Sequence, residues 1–263
     1  MKSGPLAGKT VLVTRAKEQA HDLSRLIEGQ GGEAIEVPLI EFQSTNNHQV
    51  QKVLNELQDY QWLIFTSTNG VRFFMEHVKS LEPELDFTAL KIAVVGEKTE
   101  EMLASFGLKA TVIPKEYVAE GLVEALMGKV KKGERVIVAR GNLGRVDLIH
   151  QLSQMGAMVT DLFVYETVCP IQAKEQLHRV LQVHKQLDYI TFTSSSTVRH
   201  YIKLFNLLKH EQKDFQPTIA CIGPIAARTA VNNGLNVTIV PHTYTIEHLV
   251  EQIVIHSRGG KLS

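Results

Sequence analysis

Cysteine is scarce in this chain. Its two cysteines, Cys169 and Cys221, form no CxxC pair and have no histidine at ligand spacing. A disulfide between them can be drawn on paper, but two buried free thiols are the better expectation. The 11 histidines are scattered, with no HxxxH and no Cys/His cluster, so no metal site is expected. Neither sign of charge is in excess: Lys+Arg and Asp+Glu both number 28, which argues against a nucleic-acid partner. An anionic ligand must then be held by local groups. No stretch approaches the roughly 18 apolar residues of a membrane helix. The opening Met1-Lys2-Ser3-Gly4-Pro5 has no apolar leader core, so a cytoplasmic protein with no membrane partner is expected. Neither GxGxxG nor GxxxxGK[ST] occurs, and Gly141-Asn-Leu-Gly144 is only GxxG, so nucleotide binding has no support. No Ser-His-Asp or Cys-His set can be assembled either, which points to a binding-driven catalyst or a plain binder.

What the chain does have is an internal repeat. Trp62-Leu-Ile-Phe-Thr-Ser-Thr-Asn-Gly-Val-Arg-Phe-Phe74 aligns with Tyr189-Ile-Thr-Phe-Thr-Ser-Ser-Ser-Thr-Val-Arg-His-Tyr201, with Phe65 and Phe192 127 positions apart. The same offset joins Gly96 to Gly223, Gly107-Leu108 to Gly234-Leu235, Pro114 to Pro241 and Tyr117 to Tyr244. At an offset of 125, Val11-Leu-Val-Thr-Arg15 matches Val136-Ile-Val-Ala-Arg140, and Gly31 matches Gly156. Chance would not keep an offset over several separate motifs, so the chain is a duplication.

Within each unit, short β-branched runs bounded by turn residues read as strands buried on both faces. They are Thr10–Thr14, Ala34–Leu39, Trp62–Thr66, Lys91–Val95 and Thr111–Ile113, then Arg135–Ala139, Val159–Tyr165, Tyr189–Thr193, Thr218–Ile222 and Val237–Val240. Helical stripes fill the gaps: Val71, Phe74, Met75 and Val78 recur as Val198, Tyr201, Ile202 and Phe205. They read as core. Gly31-Gly32, Gly107, Gly156 and Gly234 mark helix stops. The expected fold class is α/β, with two similar lobes of parallel five-stranded, doubly wound, flavodoxin-like sheet around a ligand cleft. Whether each lobe is continuous or exchanges halves with the other stays open at this level.

Ligands of such sheets sit at the carboxyl ends of the strands. Ser67, Thr68 and Asn69, with their partners Thr193, Ser194, Ser195 and Ser196, follow a strand and open a helix; they can cap it or help hold an anion. Arg15 and Arg140 end matching strands, where the guanidinium fork suits a carboxylate and a surface salt bridge is the plainer alternative. The turns Gly96-Glu-Lys98-Thr99 and Gly223-Pro224-Ile225-Ala226 let a ligand approach backbone closely. Tyr165, in Phe163-Val-Tyr-Glu-Thr-Val168, either donates a proton, as a phenol can at neutral pH, or packs a lobe junction.

The ordered series Leu12-Val-Thr-Arg15, Phe65 to Val71, Val95 to Thr99, Pro114 with Tyr117 through Leu122, Val164 to Thr167, Phe192 to Ser195 and Ile222 to Pro224 resembles the uroporphyrinogen-III synthase family, from about Lys9 to Ile253. The resemblance implies a hydro-lyase of haem biosynthesis. It would cyclise hydroxymethylbilane, its small-molecule substrate, to uroporphyrinogen III with loss of water and inversion of ring D through a spiro intermediate. It implies no cofactor and no metal. It also implies exchanged halves: one lobe from 1–37 with 169–263, the other from 41–165, and hinge connections at 38–40 and 166–168. Tyr165 matches the tyrosine proposed as general acid in this family. The residues above, with Gly141, match its substrate-binding loops. The preceding pathway enzyme is a transient partner in this picture, and nothing demands more than a monomer.

Two departures stand out. Ala16 occupies a position where many members carry proline, and Ile225-Ala226 replace threonines, so backbone N–H groups near Gly223 and Ile225 would have to serve there. The competing reading is a two-lobed small-molecule sensor or binding protein, but no helix-turn-helix or other effector segment is visible.

Overall fold

The computed structural model describes residues 3–45, 48–80, 85–114, 119–144, 146–183, 187–208 and 216–260. The chain divides into two compact units, one from Met1–Glu41 with Val168–Ser263 and one from Phe42–Thr167. In the first unit β1 (Thr10–Val13), α1 (Lys17–Gly29) and β2 (Glu33–Glu36) are followed, after the second unit, by α7 (Ala173–Val183), β8 (Tyr189–Phe192), α8 (Ser195–Leu208), β9 (Thr218–Cys221), α9 (Pro224–Asn232), β10 (Val237–Ile239) and α10 (Ile246–Ser257). The second unit comprises β3 (Glu41–Ser44), α2 (His48–Asn55), β4 (Trp62–Phe65), α3 (Thr68–Lys79), β5 (Lys91–Val94), α4 (Glu97–Ala104), α5 (Ala119–Leu126), β6 (Arg135–Gly141), α6 (Asp147–Gln154) and β7 (Met158–Val168).

The first sheet has the order β10-β9-β8-β1-β2 and the second β3-β7-β6-β4-β5. β1 is parallel to β2 and β8, and β4 is parallel to β5 and β6. The duplicated halves are therefore exchanged: β1–β2 and β6–β7 are copies of one half-unit but lie in different sheets. Each sheet reverses its strand order at a matching place, between β1 and β8 in one and between β4 and β6 in the other. Such switch points open the carboxyl edge to a ligand.

β4, inside the second sheet, is sealed on two faces. Trp62, Leu63, Ile64 and Phe65 are all buried, with Leu63 and Phe65 packing beside α3 residues Val71 and Phe74 and Trp62 and Ile64 beside Leu122 and Leu148 from α5 and α6. Burying such a side chain is worth about 1.5–3 kcal/mol, which explains four consecutive apolar residues where a half-exposed strand would alternate. The stripe Val71, Phe74, Met75 lies buried on α3, as Val198 and Tyr201 do on α8. Gly107 and Gly234 end α4 and α9 at φ 76° and 83°, a left-handed cap that a side chain would strain.

Three expectations change. Thr111–Ile113 is not a strand but a single parallel bridge, Ala93 to Val112. The fifth strand of that sheet is instead β3, whose half-exposed Glu-Phe-Gln-Ser carries little apolar signal. β2 stops at Glu36 rather than Leu39: the Val37 N–H still reaches the Val13 carbonyl at 3.0 Å, but the Leu39 N–H bonds Thr14 at 3.2 Å, one residue short of regular pairing. Both cysteines are free thiols, but only Cys221 is buried and Cys169 is half-buried; burial pushes the Cys221 thiol up to about 12.

Candidate active site

In the second unit the site grows from the ends of β4, β6 and β7. Ser67 is the N-cap of α3, its Oγ accepting from the Gly70 N–H at 3.0 Å. The capping alternative thus holds for Ser67, and for Ser194, whose Oγ accepts from the Thr197 N–H at 3.2 Å. Capping leaves the amides of Thr68 and Asn69 on α3, and of Ser195 and Ser196 on α8, without intrahelical acceptors. Those amides, rather than the serine hydroxyls, are the donors that the start of each helix leaves outside its own ladder.

Tyr165 has its hydroxyl 3.4 Å from Ser67 Oγ. Its ring stacks on Phe73 at a centroid distance of 5.2 Å and meets Phe42 edge-on at 5.8 Å. Simple alternation along β7 would not put it there. Leu162 and Val164 face the α3 side, while Val159 packs on the α5–α6 side. The β6–β7 register supplies the reason: Arg140 pairs with Phe163 but Gly141 with Tyr165, a one-residue bulge. A slip of one residue turns a side chain to the other face, and here it turns Tyr165 towards α3. Gly141 then lies flat against the phenol, where a Cβ would come within 2.4 Å of Tyr165 Cζ.

Arg140 is not a substrate fork. It is 3% exposed, its Nε and Nη2 donate to the two Asp161 oxygens at 2.6 Å each, and its Nη1 donates to the Gly144 and Gly141 carbonyls at 2.7 and 3.3 Å. Its guanidinium also lies 4.6 Å over the Phe163 ring. The surface-bridge alternative fails as well, since the arginine is inside. Arg15 is different. Its Nη2 reaches Gln19 Oε1 at 3.3 Å, and its Nε is buried without a hydrogen-bond partner among the described residues. Burial lowers the Arg15 pKa, opposed by the charges of Asp22 and Glu247, so a carboxylate arriving there would relieve a desolvated cation.

The other turns are mixed. Lys98 is exposed on the first turn of α4, whereas Thr99 is 4% exposed and turned inward. Pro224 and Ile225 are exposed, but Ala226 is 3% exposed and part of the first unit's core. Over Gly223 the space expected for a ligand is taken by the Tyr244 ring, 3.2 Å from where a Cβ would stand. Thr193, Ser194 and Ser195 are half-buried and Ser196 is 9% exposed. Tyr117 lies outside the described residues. Sequence reasoning missed Asp161, Asn142, Phe73 and Phe42; of these only Asn142, inside the GxxG stretch, carried any local signal.

Residues 21–251 match the family described as HEM4, uroporphyrinogen-III synthase HemD. The chain belongs to the uroporphyrinogen-III synthase family. It is 32% identical over 95% of its length to the uroporphyrinogen-III synthase of Synechococcus elongatus, covering 96% of that protein. It is 28% identical to a putative uroporphyrinogen-III synthase of Methanothermobacter thermautotrophicus, covering 92% of this chain and 96% of the relative. The fold agrees with solved uroporphyrinogen-III synthases from Helicobacter pylori (TM-score 0.63, 16% identity, covering 94% and 98% of the two chains) and Thermus thermophilus (TM-score 0.62, 15% identity, covering 95% and 98%). Membership places the chain among the enzymes of haem biosynthesis. Among the described residues, no helix is long and apolar enough to cross a membrane.

Proposed function

We propose that this enzyme closes hydroxymethylbilane to uroporphyrinogen III, with Tyr165 as general acid and the strand-end amides and Arg15 as carboxylate holders. The terminal hydroxymethyl group takes a proton from the Tyr165 hydroxyl and leaves as water, giving an azafulvene. That carbon attacks the substituted position of ring D, forming a spiro intermediate that fragments and recloses with ring D reversed. The proton lost on aromatisation matches the one supplied, so the net change is loss of one water. Bringing the far ring to the azafulvene is a matter of proximity and orientation, and a positioned acid contributes typically 10²–10⁴-fold.

The observation that carries the reading is Tyr165 itself. The bulge at Gly141 turns its phenol to the α3 side, within 3.4 Å of the Ser67 cap. The substrate carries eight carboxylates, and a chain with formal net charge +0 has no global field to hold them. Local donors at helix N-termini, each worth about 0.3–1 kcal/mol at an exposed site, must act in number. A cytoplasmic location goes with this reading. The test is to supply hydroxymethylbilane and resolve the oxidised porphyrin isomers. Type III is expected; type I alone, the unenzymatic product, would overturn the function. Tyr165→Phe is expected to lower kcat by about 10²-fold or more without unfolding the protein, and full turnover would remove Tyr165 from its role.

A further inference from the structure

We infer that the ion pair of buried Arg140 with half-buried Asp161, acting with Asn142, is a positioning device for the Tyr165 phenol. The inference rests on the general-acid reading of Tyr165 but assigns a function that reading does not contain.

The connection is continuous and short. Asp161 holds the Arg140 fork on both oxygens at 2.6 Å. The third nitrogen of that fork ties down the carbonyls of Gly141 and Gly144 at 3.3 and 2.7 Å, so the ion pair fixes the turn after β6. The turn in its turn grips β7 just after the bulge. Asn142 N–H donates to the Tyr165 carbonyl at 3.2 Å, and Asn142 Oδ1 accepts from the Thr167 N–H at 3.0 Å. Gly141 is the floor against which the phenol lies. A bulge leaves one residue of the ladder without its partner, so these contacts replace what the register shift removes. Without them β7 is free to recover regular pairing, which would put Tyr165 on the face away from Ser67.

Stability alone is a weak reason for a buried ion pair, since a well-packed apolar pair of the same volume is often as stable. A fork that also holds two carbonyls of the turn beside the acid does what an apolar pair could not.

The test is a set of double-mutant cycles in the full-length enzyme, Arg140→Lys, Asp161→Asn and Asn142→Ala each with and without Tyr165→Phe. Lysine keeps the charge but loses the fork. Asn142→Ala leaves the ion pair intact at an exposed position, so a folded variant is available even if the other two unfold. Each single variant is expected to lower kcat by about 10-fold with KM changed less than about 2-fold, the signature of an interaction made in the transition state. In the Tyr165→Phe background the same changes are expected to lower kcat by less than about 2-fold further, because the acid they position is gone. Effects that multiply in that background overturn the inference while leaving the role of Tyr165 standing. So does a rise in KM at constant kcat, which would make Arg140 a carboxylate ligand after all. If Tyr165→Phe turns over at full rate, the general-acid reading falls, and any loss in the other variants then arises by another route and overturns the positioning role too.

Discussion

The two units carry the same strand-end arginine in opposite surroundings. Arg140 has its acid, Asp161, one strand over on β7. At the 125-residue offset the matching acid is Glu36 on β2, in the same register against β1. Glu36, however, is engaged by the Ser24 hydroxyl of α1, and the residue at that place in the other unit is Ile149, which cannot compete. Phe163, under the Arg140 guanidinium, is matched by Pro38. Arg15 thus loses both partners of its copy and keeps a buried Nε that has no acceptor among the described residues. Duplication supplied two identical cations. The two copies now differ in their neighbours: one is clamped by Asp161, and the other keeps a buried Nε with no acceptor among the described residues.

The sharpest way to break this contrast is to truncate both. Arg140→Ala is expected to destabilise the protein by about 2–3 kcal/mol, at the low end for a broken buried pair because Asp161 is 31% exposed. Arg15→Ala is expected to change stability by less than about 1 kcal/mol. It should raise KM several-fold and flatten its rise with salt, since the carboxylate contact it removes is screened. Denaturant midpoints and KM at two ionic strengths check both. Equal stability losses, or a KM effect confined to Arg140, would undo the assignment.

This contrast also marks how far the sequence could be read. The repeat, the buried strands and the helix stripes were legible because hydrophobic period and turn residues are local signals. The family resemblance was carried by the same loops. Which arginine is free was not, because the answer lies in Ser24 against Ile149, nine residues beyond each arginine and across a helix. The aim of Tyr165 was hidden as well, since a bulge has no sequence mark when its extra residue is an ordinary valine. β3 escaped notice because an edge strand with one apolar residue has no period to detect.

A second contrast lies at the next position. Gly141 corresponds to Ala16, which is fully buried and bears its Cβ without difficulty. The space that Cβ would need in the second unit is filled by Tyr165, whose counterpart in the first is Ile40. Gly141→Ala is therefore expected to push the phenol from its seat, lowering kcat about 10-fold and stability by about 1–2 kcal/mol, as an overpacked core does. Gly141 has no positive φ, so the loss is steric and not a backbone penalty. Ala16→Gly is the control: at the N-cap of α1 glycine is favoured over alanine, which offsets the chain entropy it adds, so stability should change by less than about 1 kcal/mol and kcat not at all. A Gly141→Ala enzyme with wild-type kcat would show that Tyr165 needs no such seat.

The smallest contrast is at the opposite edge of the sheets. Asp188 Oδ2 accepts from the Thr10 N–H at 3.0 Å, and 127 positions earlier Gln61 Oε1 accepts from the Arg135 N–H at 2.8 Å. One bond is charged and the other neutral, though Asp188 also binds Lys9 Nζ at 2.7 Å. Burial pushes the Asp188 carboxyl up, but Lys9 and Thr10 outweigh it and hold the group below its ordinary value. A depressed folded pKa stabilises the native state above the ordinary carboxylate value of about 3.9, and that contribution is lost as pH falls through the folded value. Asp188→Asn, which keeps the acceptor as Gln61 does, is expected to cost about 0.5–1 kcal/mol at pH 7. The gap to wild type should close as the pH is taken below about 3. Urea midpoints across that range measure it; a gap that persists in acid would mean that the shape of the side chain, and not its charge, joins β8 to β1 at this edge.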